Sequence, residues 1–80
     1  MRIRFSNRRD GPIPSETVVT IPTIGGAEDV IVHQSQVDAS TIEVGFIREK
    51  EDGSLLIELP RETMSGRWRV RVPKSSWAAA

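Results

Sequence analysis

Apolar and polar residues alternate along much of this chain with a period of two. The alternation is clearest in residues 42–46, 55–59 and 68–72, where every second side chain is aliphatic or aromatic. In an extended strand such a pattern places one set of side chains on a buried face and the other set in solvent. Glycine and proline interrupt the apolar runs at intervals of roughly ten residues, as in small sheet proteins. The pattern therefore predicts an all-β fold.

Five or six antiparallel strands are predicted, and we expect them to form a small barrel or a curled sandwich. The paired glycines of TIGGAE predict one hairpin, and Asp52-Gly53 predicts a second. Residues 6–16 contain two prolines and an Asp-Gly pair, which predict an irregular loop without regular pairing. Ser35 and Asp38 have the spacing of a capping box and predict a single helical turn. The six candidate strands cover residues 2–5, 17–21, 29–33, 41–48, 54–59 and 66–73.

The last three candidate strands are predicted to form a three-stranded meander with a defined register. If residues 61–66 form the connecting loop, Leu59 faces Trp68 on the inner side of the sheet. Glu58 then faces Arg69 on the outer side. The same alternation assigns Phe46 and Trp68 to the hydrophobic core.

Length and composition limit the remaining possibilities. A chain of 80 residues is predicted to form a single small β domain with a thin core. We expect residues 6–16 and the tail 73–80 to be mobile. With no cysteine and a single histidine, His33, no disulfide, metal site or cofactor is predicted.

The formal net charge is zero, but the charges are unevenly distributed. Basic residues are concentrated in residues 1–11 and 61–80, and acidic residues in the segment between them. Two interpretations follow: the basic and acidic strands pair within the domain, or copies of the chain associate head to tail. A dedicated nucleic-acid-binding domain normally has a positive net charge.

A candidate interaction surface is predicted on the outer face of the meander. In the stretch GRWRVRVP three arginines alternate with apolar residues, so they share the wet side of a strand. Two aliphatic residues lie on the same predicted face, and a tryptophan follows in the tail. An apolar patch with a charged rim is typical of an interface. The candidate residues are Arg67, Arg69, Arg71, Ile47, Leu56 and Trp77.

Catalytic chemistry has little support in this sequence. His33 lies near Ser35 and Asp38, but the chain has no nucleophile elbow, so no catalytic residue is predicted. The Gly25-Gly26 pair lacks the spacing of a phosphate-binding loop. No apolar run is long enough to span a membrane, and the N-terminal residues lack the apolar segment of a signal peptide. We therefore expect a cytoplasmic protein of bacterial type with no membrane partner.

These observations favour a non-enzymatic interaction or structural module that self-associates or is a subunit of a larger assembly. Its expected partner is another protein or a second copy of itself. The alternative is a nucleic-acid-binding module that uses the arginine strand 67–71 together with the N-terminal arginines, Arg2 and Arg4.

Overall fold

A computed structural model describes residues 1–78 of the chain. Strands dominate these residues, and the helical elements among them are two 3₁₀ turns, Gln34–Gln36 and Lys74–Ser76. The predicted all-β class is confirmed. The eight strands are β1 Arg2–Arg4, β2 Asn7–Asp10, β3 Glu16–Thr23, β4 Gly26–His33, β5 Thr41–Glu43, β6 Gly45–Glu49, β7 Leu55–Glu58 and β8 Arg69–Val72.

The eight strands form three small antiparallel sheets. The first contains β1 and β5, the second has the order β2-β3-β4, and the third has the order β6-β7-β8. Within residues 1–78 the strands do not close into a barrel, so the arrangement fits the curled-sandwich alternative. The third sheet is the predicted C-terminal meander.

One hydrophobic cluster joins all three sheets. Ile3 of the first sheet, Ile21 of the second and Ile57 of the third are each completely buried. Burial of an aliphatic side chain of this size contributes about 1.5 to 3 kcal/mol. These side chains come from the alternating positions of their strands, so the binary pattern of the sequence accounts directly for the core. The other members of the cluster are Val19, Val30, Val32, Ile42, Val44, Leu55, Leu59, Val70 and Val72.

The predicted register of the last hairpin is confirmed. Glu58 pairs with Arg69 and Ile57 pairs with Val70 across the β7–β8 ladder. Leu59 continues this register beyond the strand, because its amide donates to the Trp68 carbonyl at 2.8 Å.

The prediction that Phe46 and Trp68 belong to the core was wrong. Their side chains are 53% and 52% exposed, respectively. Phe46 pairs with Ile57 and so lies on the inner face, but it belongs to the edge strand β6, at the margin of the core. Trp68 precedes β8, and its indole Nε1 donates to a carboxylate oxygen of Glu62 at 3.0 Å. The alternation predicted which side chains lie on the inner face of the sheet, but not which positions on that face are covered by the other sheets.

A β-bulge changes the phase of strand β6. Phe46 pairs with Ile57, but the next pair is Arg48 with Leu56, so Ile47 is the extra residue. A bulge of this kind redirects the side chains that follow it. Arg48 therefore lies on the outer face, where unbroken alternation would have placed Ile47. The predicted strand 41–48 is also divided at Val44, because β5 and β6 belong to different sheets.

The expectation of an unpaired loop over residues 6–16 was wrong for its first half, which forms strand β2 and pairs with β3. Long-range polar contacts hold this strand: Arg9 forms an ion pair with Asp29 at 3.0 Å, and Arg8 donates to the Asp38 carbonyl at 3.0 Å. The two prolines fall after the strand, in the turn that the Gly11 amide closes by donating to the Glu16 carbonyl. Hence they do not interrupt the pairing.

The helical turn begins one residue after His33 rather than after Ser35. The His33 ring Nδ1 accepts a hydrogen bond from the Ser35 amide at 3.1 Å, which makes His33 the capping residue. Near the C-terminus, Trp77 forms a bridge with Ile3 of β1. Mobility of residues 6–16 and of the tail 73–80 stays a prediction, and Ala79 and Ala80 lie outside the described residues.

Candidate interaction surface

Each arginine of the predicted stripe contacts a carboxylate. Arg69 Nε lies 3.1 Å from Glu58 Oε2, directly across the β7–β8 ladder. Arg67 Nε lies 3.8 Å from Glu28 Oε2 of strand β4. Arg71, the third arginine, contacts Asp52 in the β6–β7 hairpin. These contacts neutralise the stripe without burying it, because both side chains of the Arg69–Glu58 pair are at least half exposed.

Arg71 forms the best-connected pair of the stripe. Its guanidinium contacts the Asp52 carboxylate, and its Nε donates to the Ser54 hydroxyl at 3.3 Å. The pKa of the Asp52 carboxyl is lowered chiefly by hydrogen bonds from the Ser54 hydroxyl and amide, and also by Arg71. Asp52 therefore stays charged and holds the arginine against the hairpin.

Basic side chains elsewhere in the chain are also engaged. Five further ion pairs join four basic side chains to carboxylates: two are formed by Arg2, and one each by Arg9, Arg61 and Lys74. Arg4 donates to the carbonyls of Ser75 and Trp77, both at 3.1 Å. Among the described residues, Arg48 and Lys50 make neither kind of contact.

The two aliphatic residues of the predicted surface lie on strands β6 and β7. Leu56 is half-buried on the outer face of the third sheet, in one row with Arg48 and Arg71. Ile47 is the bulged residue and is 36% exposed. The structure thus brings Leu56 and Arg71 together as predicted, whereas Ile47 leaves the row that the alternation assigned to it.

Trp77 lines a groove on the inner side of the third sheet's edge, which we call the Phe46 groove. Its apolar walls are Met1, Phe46, Leu55 and Trp77, and it encloses about 450 Å³. Lys74 Nζ and Glu49 Oε1, 3.2 Å apart, form an ion pair at the same site. The bulge explains this arrangement, since it places Glu49 on the inner face beside Leu55.

A second groove, the Trp68 groove, lies beside the loop that connects β7 and β8. It is a shallow depression open to solvent, with a volume of about 630 Å³, and is lined by Trp68, Met64 and Ile31 together with Glu16, Arg61, Glu62 and Thr63. Trp68 and Met64 are 52% and 65% exposed, respectively. Two of these lining residues, Arg61 and Glu16, form an ion pair of 2.6 Å.

The connecting loop is anchored, which gives the Trp68 groove a defined shape. Thr63 is buried, forms a bridge with Val30 of β4, and accepts a hydrogen bond from the Arg67 amide at 3.0 Å. The Met64 amide donates to the Asp29 carbonyl at 2.9 Å. A tertiary contact of this kind produces no periodic pattern of apolar residues in the sequence, so the sequence analysis did not predict the groove. The available signal was Trp68 itself, a large aromatic residue next to a glycine-containing loop.

His33, Ser35 and Asp38 do not form one hydrogen-bonded group. His33 Nδ1 contacts Ser35, while the Asp38 carboxylate accepts hydrogen bonds from the Ser40 and Thr41 amides. Asp38 is therefore occupied in shaping its own turn. No group of three potential metal-ligating side chains occurs within residues 1–78. The same residues contain no helix of the length and apolarity needed to cross a membrane.

Comparisons with known proteins do not assign the chain to a class. No protein-family model, no curated protein and no solved structure matches it.

Proposed function

We propose that this chain is a non-enzymatic interaction module that self-associates or serves as a subunit of a larger assembly. The observation that carries the proposal is a contrast between two kinds of exposed side chain. The arginines of the stripe are neutralised by carboxylates of the same chain, whereas Phe46, Trp68 and Trp77 are each about half exposed. Half-exposed aromatic side chains in grooves are the usual anchors of protein interfaces.

The internal ion pairs support the first interpretation of the charge distribution, the pairing of basic and acidic strands within the domain. Basic N-terminal and C-terminal strands find acidic partners inside the domain, as in the Arg9–Asp29 and Arg67–Glu28 pairs. Phosphate groups would have to compete with these carboxylates, and the zero net charge supplies no attractive long-range field. The pairing therefore supports a protein partner over the nucleic-acid alternative. We also propose that the protein is located in the cytoplasm.

The free sheet edges support contacts made by side chains rather than by strand pairing. Strand β2 is an edge with the charged sequence NRRD, and strand β6 is an edge that carries the bulge at Ile47. Charged residues and bulges are the features by which native proteins prevent edge-to-edge association. Association through the two grooves is compatible with such edges.

Sedimentation equilibrium over a concentration series tests the proposal. We expect the wild-type mass to rise above the 8.9 kDa of one chain. The Phe46→Gln and Trp68→Gln variants should need higher concentrations to associate. Ile13→Gln is the matched control, because Ile13 is 52% exposed but lies outside both grooves. A wild-type protein that stays at the mass of one chain up to millimolar concentration contradicts self-association.

A further inference from the structure

We infer that the Trp68 groove binds the β6–β7 hairpin of a second copy of this chain, with Arg48 and Lys50 of that hairpin entering the groove. The inference rests on the proposed function and specifies its contact. It is argued from the charges that remain unpaired after the internal ion pairs are assigned.

The Trp68 groove has the chemistry of a site for a cationic side chain. Glu62 Oε2 accepts a hydrogen bond from the Trp68 indole at 3.0 Å, and no cation of residues 1–78 lies within ion-pair distance of this carboxylate. The bond fixes the ring beside the negative charge. An aromatic face next to a carboxylate binds a guanidinium or ammonium group by cation–π attraction and a charge-assisted hydrogen bond. Met64 offers an apolar surface for the aliphatic stem of the same side chain.

The other charge of the groove is already neutralised. Arg61 and Glu16 form a 2.6 Å ion pair along its wall. Glu62 therefore leaves the groove with one uncompensated negative charge, and the complementary occupant carries a positive charge on a long stem.

The chain itself carries such side chains at the opposite end of the third sheet. Arg48 and Lys50 belong to the β6–β7 hairpin, and within residues 1–78 they are the cations that contact neither a carboxylate nor a carbonyl through their side chains. The bulge at Ile47 places Arg48 on the outer face, where its side chain is exposed. The hairpin thus presents two unpaired positive charges and one unpaired negative charge, that of the exposed Glu51, so its unpaired groups have a net charge of +1.

The two features lie at opposite ends of β7, and no ion pair joins them within residues 1–78. Leu55 of β7 follows the hairpin, and the last residue of β7, Glu58, leads into the loop that holds Glu62. A second copy brings the hairpin of one chain to the groove of the other. The contact is heterologous, since each chain contributes a different surface.

Neutral substitutions separate the two halves of the contact. Glu62→Gln removes the negative charge of the groove, and the double variant Arg48→Gln/Lys50→Gln removes the positive charges of the hairpin. Each should raise the concentration needed for association about tenfold or more in sedimentation equilibrium. Asp10→Asn is the control, because Asp10 is likewise outside the ion pairs of residues 1–78 but lies on strand β2. Matching thermal unfolding midpoints establish that the variants are folded.

Mixing the two impaired proteins provides the decisive measurement. The Glu62→Gln protein retains its hairpin, and the hairpin variant retains its groove, so an equimolar mixture forms one intact contact. We expect association in the mixture at concentrations where neither variant associates alone, and we expect it to stop at two chains. If both variants associate as readily as the wild type, the hairpin contact is wrong while self-association stands. If the wild type never exceeds the mass of one chain, the hairpin contact and self-association are both wrong.

Discussion

The Arg69 guanidinium contacts the Glu58 carboxylate at 3.1 Å across the β7–β8 ladder, on the solvent side of the sheet. Both side chains are at least half exposed, so water screens the pair. We expect a coupling free energy of about 0.2 to 1 kcal/mol. Urea unfolding of Arg69→Ala, Glu58→Ala and the double variant measures it. A coupling clearly above that range would show that the pair is a principal stabilising contact rather than a neutralised surface.

The neutralised stripe predicts weak binding to nucleic acid. At physiological salt we expect a dissociation constant no tighter than about 10⁻⁴ M for single-stranded or double-stranded oligonucleotides, measured by fluorescence anisotropy. Micromolar binding that is lost in the folded Arg67→Gln/Arg69→Gln/Arg71→Gln variant would instead favour the nucleic-acid-binding module.

The exposure of Trp68 predicts a ranking of two truncations. Ile57 is completely buried, so Ile57→Ala should cost about 2 to 5 kcal/mol. Trp68→Ala removes a side chain that is 52% exposed, and should cost about 1 to 2 kcal/mol. The comparison uses denaturant unfolding at low protein concentration, where association does not contribute. A larger loss for Trp68→Ala would place that ring in the core after all.

The lowered pKa of Asp38 predicts how the free energy of unfolding decreases at acidic pH. Hydrogen bonds from the Ser40 and Thr41 amides, and then from the Thr41 hydroxyl, lower the pKa of the Asp38 carboxyl from 3.8 to about 2. Because the folded state binds this proton less tightly than the unfolded chain does, the contribution of Asp38 is complete above about pH 3.8 and is lost as the pH falls towards 2. Asp38→Asn should flatten the decrease in unfolding free energy over this interval. An unchanged slope in the variant would contradict the role of the carboxylate.

Two glycines of the third sheet and its hairpin predict losses of stability of different size for the same substitution. Gly53 has a φ of +87°, so Gly53→Ala should cost about 1 kcal/mol or more although no atom obstructs the new methyl group. At Gly45 the φ is not positive, and an added Cβ would lie 3.7 Å from the Glu58 Cβ, an ordinary contact. Gly45→Ala should therefore change stability by no more than about 0.5 kcal/mol. Thermal unfolding of the two variants makes the comparison, which fails if both are equally destabilised.

Local pattern was sufficient for the pairing of Glu58 with Arg69, because side-chain alternation and the hairpin signals determine which residues face each other. It was insufficient for the bulge at Ile47, since both the regular and the bulged strand satisfy the same alternation up to that residue. Strand β2 escaped prediction for a different reason. Its stabilising partners, such as Asp29 for Arg9, are distant in the sequence.

The candidate surface was predicted in part. Arg71 and Leu56 are neighbours on the outer face, as the register requires. The groove around Trp68 depends on how Thr63 is anchored to Val30, a contact between segments that no short-range pattern connects. The charge distribution along the sequence predicted ion pairing within the domain as one of two possibilities. Only the structure shows that Arg48 and Lys50 are the cations whose side chains contact neither a carboxylate nor a carbonyl within residues 1–78.

The bridge between Trp77 and Ile3 has a consequence for the order in which the domain is completed during synthesis. Strand β1 is synthesised before the other seven strands, yet it pairs with β5 on one side and with the segment around Trp77 on the other. The Ala78 amide closes that second side by donating to the Arg2 carbonyl at 3.0 Å. The second side of β1 therefore stays open until Ala78 has been synthesised, so we expect this part of the domain to be completed only after the eight strands have been made.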